Sequence, residues 1–398
     1  MLLLFSRGKV SLFCFIFLIK STIYMNPTSL SAGRGIEFSP ETIFIDKSVA
    51  DHPLTLKTLL QFPDTPVERN ITVDEAIQII RKTSSDVFGA GKRNLVLTRF
   101  KGSFLKKCPG ISPGMVCCNY YVVNLLKNCM YDCSYCFLQD FLQNNPLLVA
   151  YVNIEDLLGE LEQTFAAHPD RTFRVGTGEL TDSLALDQVI PFSQQLIPFF
   201  NQKKNAVLEL KTKSNCVINL LNQNSADNVI VSWSLNPQII IDHEEKGTPN
   251  LEQRLEAARL CAKKGYKVGI HLDPIIIFPD WERAYHRMIE KIFEVLSPSQ
   301  IEWVSLGSFR YRMSLKKIIN ERHNNTRLFT GEHISSKDGK HRYLRSLRNE
   351  AYKNLRSLLK NFSTDLNVYL CMETREMWEG VTGKMPRADE TLDEFFDL

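Results

Sequence analysis

The chain has 398 residues, of which 44% are hydrophobic and 23% are charged, a composition ordinary for a soluble globular protein. It is long enough for one large α/β barrel or two ordinary domains. It is far too long to need a disulfide framework, so its ten cysteines favour metal binding in a reducing compartment. The net charge of +3 is unevenly distributed, because residues 310–360 carry 14 Lys and Arg against 4 Asp and Glu, a net of +10. Such a segment is typical of a nucleic-acid surface, and equally of a solvated helix face.

Near the start of the chain, residues 12–19 form an apolar run with basic residues on both sides. The run is too short for a membrane span, which needs about 20 apolar residues, and a poor signal-peptide cleavage site follows it. We therefore interpret residues 1–24 as an upstream extension or a signal-like segment, and hypothesise that translation begins at Met25. No other stretch is a candidate membrane span, so we expect a cytoplasmic protein.

Residues 25–118 are predicted to form an N-terminal region of mixed structure. Short apolar runs at 43–45 and 95–97 indicate strands. Between them, Thr72 is predicted to begin a helix, because Glu75 stands three residues later and can complete a capping box. The region ends in a loop rich in Gly, Pro and Cys at residues 101–118.

From residue 119 onward, strand candidates alternate with helix candidates. The strands are predicted at residues 120–124, 173–175, 206–211, 229–234, 267–272, 303–306 and 366–371. The helices are predicted at residues 153–165, 188–200, 217–222, 251–264 and 280–296. This alternation predicts βαβ units with a parallel sheet, and hence an α/β fold with a complete or partial (β/α) barrel over 119–372. A basic insertion at about 310–360 and a C-terminal tail at 373–398 complete the predicted organisation.

A cysteine triplet follows the first strand of this repeat. Cys129, Cys133 and Cys136 have the spacing C-x3-C-x2-C on one short loop. Three thiolates can each ligate one iron of a 4Fe–4S cluster, which usually takes four cysteines. Because the loop lacks a fourth cysteine, one iron stays open and can chelate the amino and carboxylate groups of S-adenosylmethionine. The motif therefore predicts cleavage of that cofactor to a 5′-deoxyadenosyl radical at the barrel mouth, where barrel active sites lie.

A structural zinc loop is the alternative for this triplet, because zinc also accepts four cysteines, or three cysteines and a histidine. Zinc ribbons usually contain two C-x2-C pairs, and this sequence has no second pair. The iron–sulfur interpretation is therefore favoured.

With these motifs the sequence resembles the spore photoproduct lyase family of the radical S-adenosylmethionine superfamily. The triplet is common to the superfamily, and other segments are similar to the lyase family alone. Those segments lie at residues 107–110, 136–139, 176–182, 210–213, 232–236, 254–258, 273–275 and 281–282. The resemblance implies a partial barrel, one 4Fe–4S cluster, S-adenosylmethionine, and repair of a methylene-bridged thymine dimer in DNA. We also expect an electron donor such as flavodoxin or ferredoxin.

The same resemblance implies cofactor contacts at Tyr135, beside the cluster, and at Thr181, Lys213 and Ser234. Lys213 stands at a strand end, where it can pair with the methionine carboxylate, and Ser234 can hydrogen-bond that group. By residue type alone, a surface lysine and a strand serine are the plainer interpretation.

Two positions depart from the lyase pattern. The lyases have a cysteine that gives a hydrogen atom to the substrate radical where this chain has Glu179, and a carboxylate cannot replace a thiol in that role. They have a relay tyrosine where this chain has Phe137, which lacks the hydroxyl. Glu179 resembles instead the glutamate with which many superfamily members hold the methionine ammonium, and we hypothesise that role for it.

Another thiol is then needed as hydrogen donor, and Cys371 is the candidate, because it closes the last predicted strand at the reaction mouth. A buried structural cysteine is its alternative role. Cys108, Cys117 and Cys118 form a second group of thiols, which either ligates an auxiliary cluster with Cys371 or packs near the barrel floor.

The basic segment contains Asp338 and Gly339, which predict a hairpin or a plain surface turn. By resemblance, a basic hairpin opens the DNA around the lesion, with Arg342 as a phosphate contact and Tyr343 as a stacking surface. Three functions stay open. They are a lyase-like enzyme on DNA photoproducts, a radical S-adenosylmethionine enzyme with another substrate, and a non-catalytic, metal-stabilised nucleic-acid-binding protein.

Overall fold

The computed structural model describes residues 37–110, 114–116 and 118–384. The hypothetical start at Met25, the apolar run before it, Cys117 and most of the predicted tail lie outside these residues. Within them, we find no helix whose length and apolar character would suit a membrane crossing.

The chain forms short strands and helices that alternate along most of its length. The strands are β1 (Thr42–Ile45), β2 (Val67–Arg69), β3 (Asn94–Thr98), β4 (Lys106–Lys107), β5 (Tyr120–Val122), β6 (Leu126–Lys127), β7 (Asp132–Cys133), β8 (Leu148–Tyr151), β9 (Phe173–Gly176), β10 (Ala206–Thr212), β11 (Val229–Ser234), β12 (Glu245–Lys246), β13 (Lys267–Ile275), β14 (Ile301–Ser308), β15 (Arg310–Tyr311), β16 (His333–Ser335), β17 (His341–Tyr343) and β18 (Val368–Leu370). The helices are α1 (Pro53–Leu59), α2 (Val73–Thr83), α3 (Val87–Lys92), α4 (Leu138–Phe141), α5 (Ile154–Ala167), α6 (Ser193–Phe200), α7 (Ile218–Leu221), α8 (Gln238–Glu244), α9 (Leu251–Lys264), α10 (Trp281–Val295), α11 (Met313–Arg322), α12 (Arg345–Phe362) and α13 (Arg375–Thr382).

The first sheet has the order β2-β1-β3-β8-β6 and is parallel except for the pair of β6 with β8. Its inner strands β1, β3 and β8 are apolar and almost wholly buried, as central strands of parallel sheets usually are. Helix α2 packs against it, and the predicted capping box is confirmed, because the side chains of Thr72 and Glu75 each accept the other's backbone N–H. Strands β6 and β8 lie within the range predicted for the barrel, yet they belong to this sheet.

The second sheet contains the predicted βα repeat. Seven parallel strands stand side by side in chain order, β5-β9-β10-β11-β13-β14-β18, and β4 adds an antiparallel strand beside β5. The helices predicted at 251–264 and 280–296 are confirmed as α9 and α10. The helix predicted at 188–200 begins only at Ser193, because the Asp187 carboxylate accepts the Ser193 N–H (3.0 Å) and O–H (2.5 Å) in the preceding turn.

The second sheet curls into a partial (β/α) barrel, as predicted. Inside it, Arg174 of β9 donates a hydrogen bond to the Tyr369 hydroxyl of β18 at 3.1 Å, which joins strands from distant parts of the sheet. At the rim, the Val116 N–H donates to the Glu373 carbonyl at 2.9 Å. The segment before β5 therefore reaches the residues that follow β18.

A buried carboxylate holds the barrel interior together. Glu209 of β10 accepts hydrogen bonds from Ser232 (2.6 Å) and Arg174 (2.9 Å), and its Oε1 lies 2.7 Å from His271 Nε2. Burial alone opposes the charge of Glu209, but Arg174 and His271 hold its pKa well below the ordinary value. The strands below the mouth are thus fixed to one another by polar contacts as well as by apolar packing.

The basic segment begins directly after β14, at the carboxyl end of the barrel strands. Strands β15, β17 and β16 form a small antiparallel sheet, and the predicted hairpin is confirmed, with Gly339 in the turn at φ +75°. Because the Ile277 N–H, just after β13, donates to the Tyr343 hydroxyl at 3.1 Å, this sheet is attached to the mouth side of the barrel.

Candidate active site

The cysteine loop lies between β6 and α4. Cys129, Cys133 and Cys136 belong to one small cluster of mostly buried side chains. Asn128 precedes them in the left-handed conformation (φ +65°), which asparagine tolerates, and its side-chain oxygen accepts the Cys129 N–H at 2.8 Å. Burial raises the pKa of the Cys129 thiol to about 12 and that of Cys133 well above its ordinary value. Thiolates in this setting need a bound metal to stabilise their charge.

The second half of the loop is held by elements distant in sequence. Cys133 lies in β7 and pairs with Glu245 of β12. The Ser134 N–H donates to the Glu244 carbonyl at 2.8 Å, and the Gln139 side chain donates to the Ser134 carbonyl at 2.8 Å. The loop is therefore fixed on both sides of its middle cysteine before any ligand binds.

The donor atoms that the loop offers decide which metal centre it could hold. Within the part of the chain that the structure describes, no three His, Cys, Asp or Glu side chains are close enough to hold a single metal ion. Three cysteines of one loop, with no fourth in their cluster among the described residues, suit a cluster that takes one thiolate on each of three irons. The donor chemistry of the loop fits a 4Fe–4S cluster with one open iron.

Tyr135 and Lys213 lie near one buried carboxylate, that of Glu245, and the backbone of Ser234 is linked to it through Arg254. The Tyr135 hydroxyl donates to Glu245, and the Lys213 ammonium lies 5.7 Å from the centre of the Tyr135 ring. Arg254 donates to Glu245 at 2.5 Å and to the Ser234 carbonyl at 3.0 Å. Burial opposes the charge of Lys213, but Glu245 and Cys133 raise the pKa of this ammonium above its ordinary value. Lys213 is thus kept as a cation beside the cysteine loop.

The other two predicted contacts follow β9. Asn124, just after β5, donates to Glu179 Oε2 at 2.7 Å, and the Thr181 hydroxyl donates to the Asp182 carbonyl at 3.4 Å. The Asp182 carboxylate accepts the Lys213 N–H at 2.6 Å. Four of the five predicted contacts therefore lie at or just after the ends of three neighbouring strands, β9, β10 and β11, and Tyr135 lies in the cysteine loop.

Sequence reasoning missed three polar residues that organise this region, namely Asp182, Glu245 and Arg254. A signal for Arg254 was present, because it lies on the buried face of α9 together with Leu251 and Leu255. An arginine on the apolar face of a helix indicates a buried partner carboxylate.

Cys371 belongs to a different group of side chains. Its N–H donates to the Leu306 carbonyl at 2.8 Å, which continues the ladder between β14 and β18. Since strand side chains alternate, Cys371 faces the same side as Tyr369, which points into the barrel. Arg310, paired with Asp273 at 2.9 Å, lies 3.9 Å from the Cys371 sulfur. Burial, together with Asp273, raises the pKa of Cys371, so the sulfur keeps its proton at neutral pH.

The hairpin of the basic segment reaches Met372, the residue after this thiol. Lys340, in its turn, lies 3.9 Å from the sulfur of Met372, and Arg310 at its base lies 3.3 Å from the same atom. Cys118, from the loop before β5, is near enough to Cys371 to influence its charge. The mouth thus has a sulfur-rich and cationic side as well as the side of the cysteine loop.

Arg342 and Tyr343 do not have the roles predicted for them. Arg342 is only 1% exposed and pairs with Asp338 through hydrogen bonds of 2.5 and 2.7 Å. Tyr343 is 2% exposed, and its hydroxyl accepts the Ile277 N–H. The prediction that these two side chains contact DNA is therefore wrong, because they stabilise the hairpin and its attachment to the barrel.

The basic segment uses still more of its charge internally. Arg310, Arg322 and Arg348 are also paired with carboxylates. The basic side chains of the segment that remain exposed are Arg312, Lys317, Arg327, Lys337, Arg345 and Lys353. The surface available to a polyanion is smaller than the composition suggests.

The chain is similar to known proteins over most of its length. A family profile described as spore photoproduct lyase matches residues 38–369. Spore photoproduct lyase of Bacillus subtilis is 24% identical over 303 residues, 73% of this chain and 84% of that protein. Spore photoproduct lyase of Clostridium acetobutylicum is 24% identical over 288 residues, 72% of this chain and 83% of that protein.

Solved structures are similar as well. One of spore photoproduct lyase complexed with dinucleoside spore photoproduct has a TM-score of 0.73 at 22% identity, covering 84% of this chain and 99% of that one. A mutant of spore photoproduct lyase with bound AdoMet and dinucleoside spore photoproduct has a TM-score of 0.73 at 22% identity, covering 85% and 99%. These likenesses establish the partial-barrel fold.

Proposed function

Because the chain belongs to the spore photoproduct lyase family, we propose that it is a radical S-adenosylmethionine enzyme that repairs a thymine photoproduct or a related lesion in DNA. The observation that carries this proposal is the cysteine loop, in which Cys129, Cys133 and Cys136 lie together and the backbone is held by hydrogen bonds and strand pairing. The likeness to structures that hold AdoMet and dinucleoside spore photoproduct supports the same choice of cofactor and substrate class.

The side chains at the mouth take distinct roles toward the cofactor. When bound, the cluster and S-adenosylmethionine supply a reducing electron and a carbon-centred radical. The three thiolates hold three irons. Glu179, which Asn124 fixes at the strand end, takes the methionine ammonium, and Lys213 pairs with the methionine carboxylate. The further cofactor contacts in this proposal are Tyr135, Thr181 and Ser234.

We assign hydrogen-atom donation to Cys371. Its S–H bond breaks, a C–H bond forms on the substrate radical, and a thiyl radical remains on the sulfur. One electron from the carrier that reduces the cluster and one proton from water restore the thiol. The assignment is supported by the protonated state of this thiol and by the contact of Lys340 with Met372, because DNA held by the hairpin would lie next to Cys371.

The exposed basic side chains of residues 310–360 supply the phosphate contacts in this proposal. Lys337 lies in the hairpin turn, and Arg312 and Arg345 flank the small sheet. A lesion base must leave the stack to reach the mouth, and unstacking costs a few kcal/mol. A flavodoxin or ferredoxin is the proposed electron donor, and the cytoplasm, where thiols stay reduced, is the proposed compartment.

A radical S-adenosylmethionine enzyme with a different substrate is the second candidate. It is favoured by Glu179 and Phe137, which remove the hydrogen donor and the relay hydroxyl of the lyase pattern. Phe137 is 49% exposed and its ring centre lies 6.1 Å from that of Phe141, so this position offers an apolar surface in place of a hydroxyl.

Ultraviolet-irradiated DNA, reductant and S-adenosylmethionine given to the anaerobically purified protein would test the proposal. Recovery of thymine together with 5′-deoxyadenosine is the expected result. The same assay should be run on defined dinucleotide photoproducts. Formation of 5′-deoxyadenosine without recovery of thymine in both assays would favour the second candidate. A colourless protein that contains zinc would contradict both and leave a non-catalytic nucleic-acid-binding protein.

A further inference from the structure

A buried lysine from outside the barrel holds the first half of the cysteine loop. Lys92, at the end of α3, is 5% exposed. Its ammonium donates to the carbonyl oxygens of Cys129 (3.0 Å) and Tyr131 (2.6 Å) and to the side-chain oxygen of Asn128 (3.3 Å). Burying an ammonium costs free energy, because the charge leaves water. Because all three of these hydrogen bonds go to one loop, they indicate that Lys92 stabilises the conformation of that loop.

A second cation holds the same loop from α11, in the basic segment. Arg322 pairs with Asp132, which lies in the middle of the loop, at 3.2 Å. It also donates to the side-chain oxygen of Gln139, whose amide group donates to the Ser134 carbonyl at 2.8 Å. Backbone carbonyls in both halves of the loop are thus engaged, by Lys92 directly and by Arg322 through Gln139.

Of these two cations, Lys92 is the one less closely paired with a carboxylate. Arg322 pairs with both Asp86 (2.9 Å) and Asp132 (3.2 Å), whereas the Asp132 carboxylate lies 3.9 Å from the Lys92 ammonium. The potential of an iron–sulfur cluster depends on nearby charge, hydrogen bonds and solvent exposure. Because reduction adds a negative charge, a buried and poorly screened cation favours it.

We propose that Lys92 and Arg322 are positioning residues that fix the cysteine loop and raise the reduction potential of its cluster. The inference rests on the proposed function, because it requires a cluster at the triplet. It makes the first sheet, through α3, and the basic segment, through α11, parts of the cluster site.

The test is the reduction potential of the cluster, measured by titration with electron paramagnetic resonance on the reconstituted full-length protein. Lys92→Met should shift the potential to a more negative value. Lys92→Arg keeps the charge, so its potential should stay close to that of the wild type. Lys203→Met is the matched control. It also removes a lysine that pairs with a carboxylate, here that of Glu162, but in the turn after α6, and it should leave the potential unchanged.

Four irons per chain in Lys92→Met with an unchanged potential would overturn the inference while leaving the proposed function intact. A wild-type chain without a four-iron cluster would instead overturn the proposed function. Should Lys92→Met fail to fold or to load iron, Arg322→Gln decides. A smaller shift in the same direction supports the inference, and the wild-type potential contradicts it. Thermal melting of each iron-free variant separates the loss of fold from the loss of cluster.

Discussion

The cysteine loop is rich in thiols and the basic segment is rich in cations, but only the thiols gather at one site, whereas many of the cations pair with carboxylates of the protein itself. In the loop all three cysteines lie together, and cations from two other elements secure the backbone around them. In the basic segment four arginines are paired with carboxylates, so the charge there is partly structural. Ligand spacing on a short loop limits which atoms can meet. The charge of a 51-residue stretch does not determine which side chains face solvent.

The two regions are also physically connected. Arg322 belongs to the basic segment and holds Asp132 of the cysteine loop, while Arg310 and Lys340 reach Met372 beside the thiol of Cys371. The buried charges of the segment thus organise the mouth, and its exposed charges are left for a polyanion. Substitutions of the buried charges should therefore change stability or the mouth, and substitutions of the exposed charges should change DNA binding.

Removing a cluster ligand should have the largest effect. Cys133→Ala should abolish the brown colour, the bound iron and the formation of 5′-deoxyadenosine, because Cys133 is the middle ligand of the proposed cluster. Iron quantitation and visible absorbance measure this. Cys261→Ala, in the buried face of α9, is the control and should retain iron. Four irons per chain in Cys133→Ala would refute the ligand assignment.

Removing the proposed hydrogen donor should stop repair without stopping radical formation. Cys371→Ala should form 5′-deoxyadenosine but return little intact thymine. In deuterated water, wild-type protein should place solvent deuterium in the repaired thymine, because an S–H group exchanges with solvent, and mass spectrometry measures this. Cys216→Ala, another buried thiol, is the control. Normal repair by Cys371→Ala would show that the donor is a different group.

Breaking a buried pair of the basic segment should reduce stability more than binding. Arg342→Ala leaves Asp338 charged and buried, and such a loss costs about 3 kcal/mol in the free energy of unfolding. Denaturant unfolding measures it, and adding Asp338→Ala should recover part of the loss. Unchanged stability together with weaker DNA binding would show that Arg342 contacts phosphate after all.

Much of the fold follows from local pattern. The boundaries of β11 and α9 coincide with the predicted ones, because continuous β-branched runs and a capped amphipathic stretch are local signals. The assignment of β6 and β8 to the first sheet was not predictable, because two- and four-residue strands carry little periodicity, and their partners are chosen by packing.

The candidate site divides in the same way. The cysteine triplet is predictable, since its spacing lies on one loop. The pairing of Glu245 with Arg254, and of Lys92 with the loop carbonyls, was not predictable, because these residues are far apart in sequence and each alone resembles a surface charge. The burial of Arg342 depends on Asp338, four residues away, whose partner the hairpin register selects.

Glu179 tests the cofactor side of the mouth with a moderate effect. Glu179→Gln keeps the size of the side chain and removes its charge, so binding of S-adenosylmethionine should weaken about tenfold, the equivalent of about 1.4 kcal/mol. Calorimetry on the iron-loaded protein measures this. Glu256→Gln, on the exposed side of α9, is the control and should bind normally. Unchanged affinity in Glu179→Gln would remove this residue from the cofactor site.

The smallest effect concerns a single exposed cation. Lys337 lies in the hairpin turn, and its side chain is exposed where it can meet a phosphate. Lys337→Ala should therefore weaken DNA binding only a few-fold, and should make the negative slope of log affinity against log salt shallower by about 0.9 for one lost contact. Fluorescence anisotropy with an oligonucleotide at several salt concentrations measures the slope. Lys57→Ala, on α1, carries the same charge change on another surface and should leave the slope unchanged. Equal slopes for Lys337→Ala and wild type would mean that even the exposed charge of the hairpin is not a phosphate contact. The charge of the basic segment would then serve the structure of the protein, as the cations that hold the cysteine loop do.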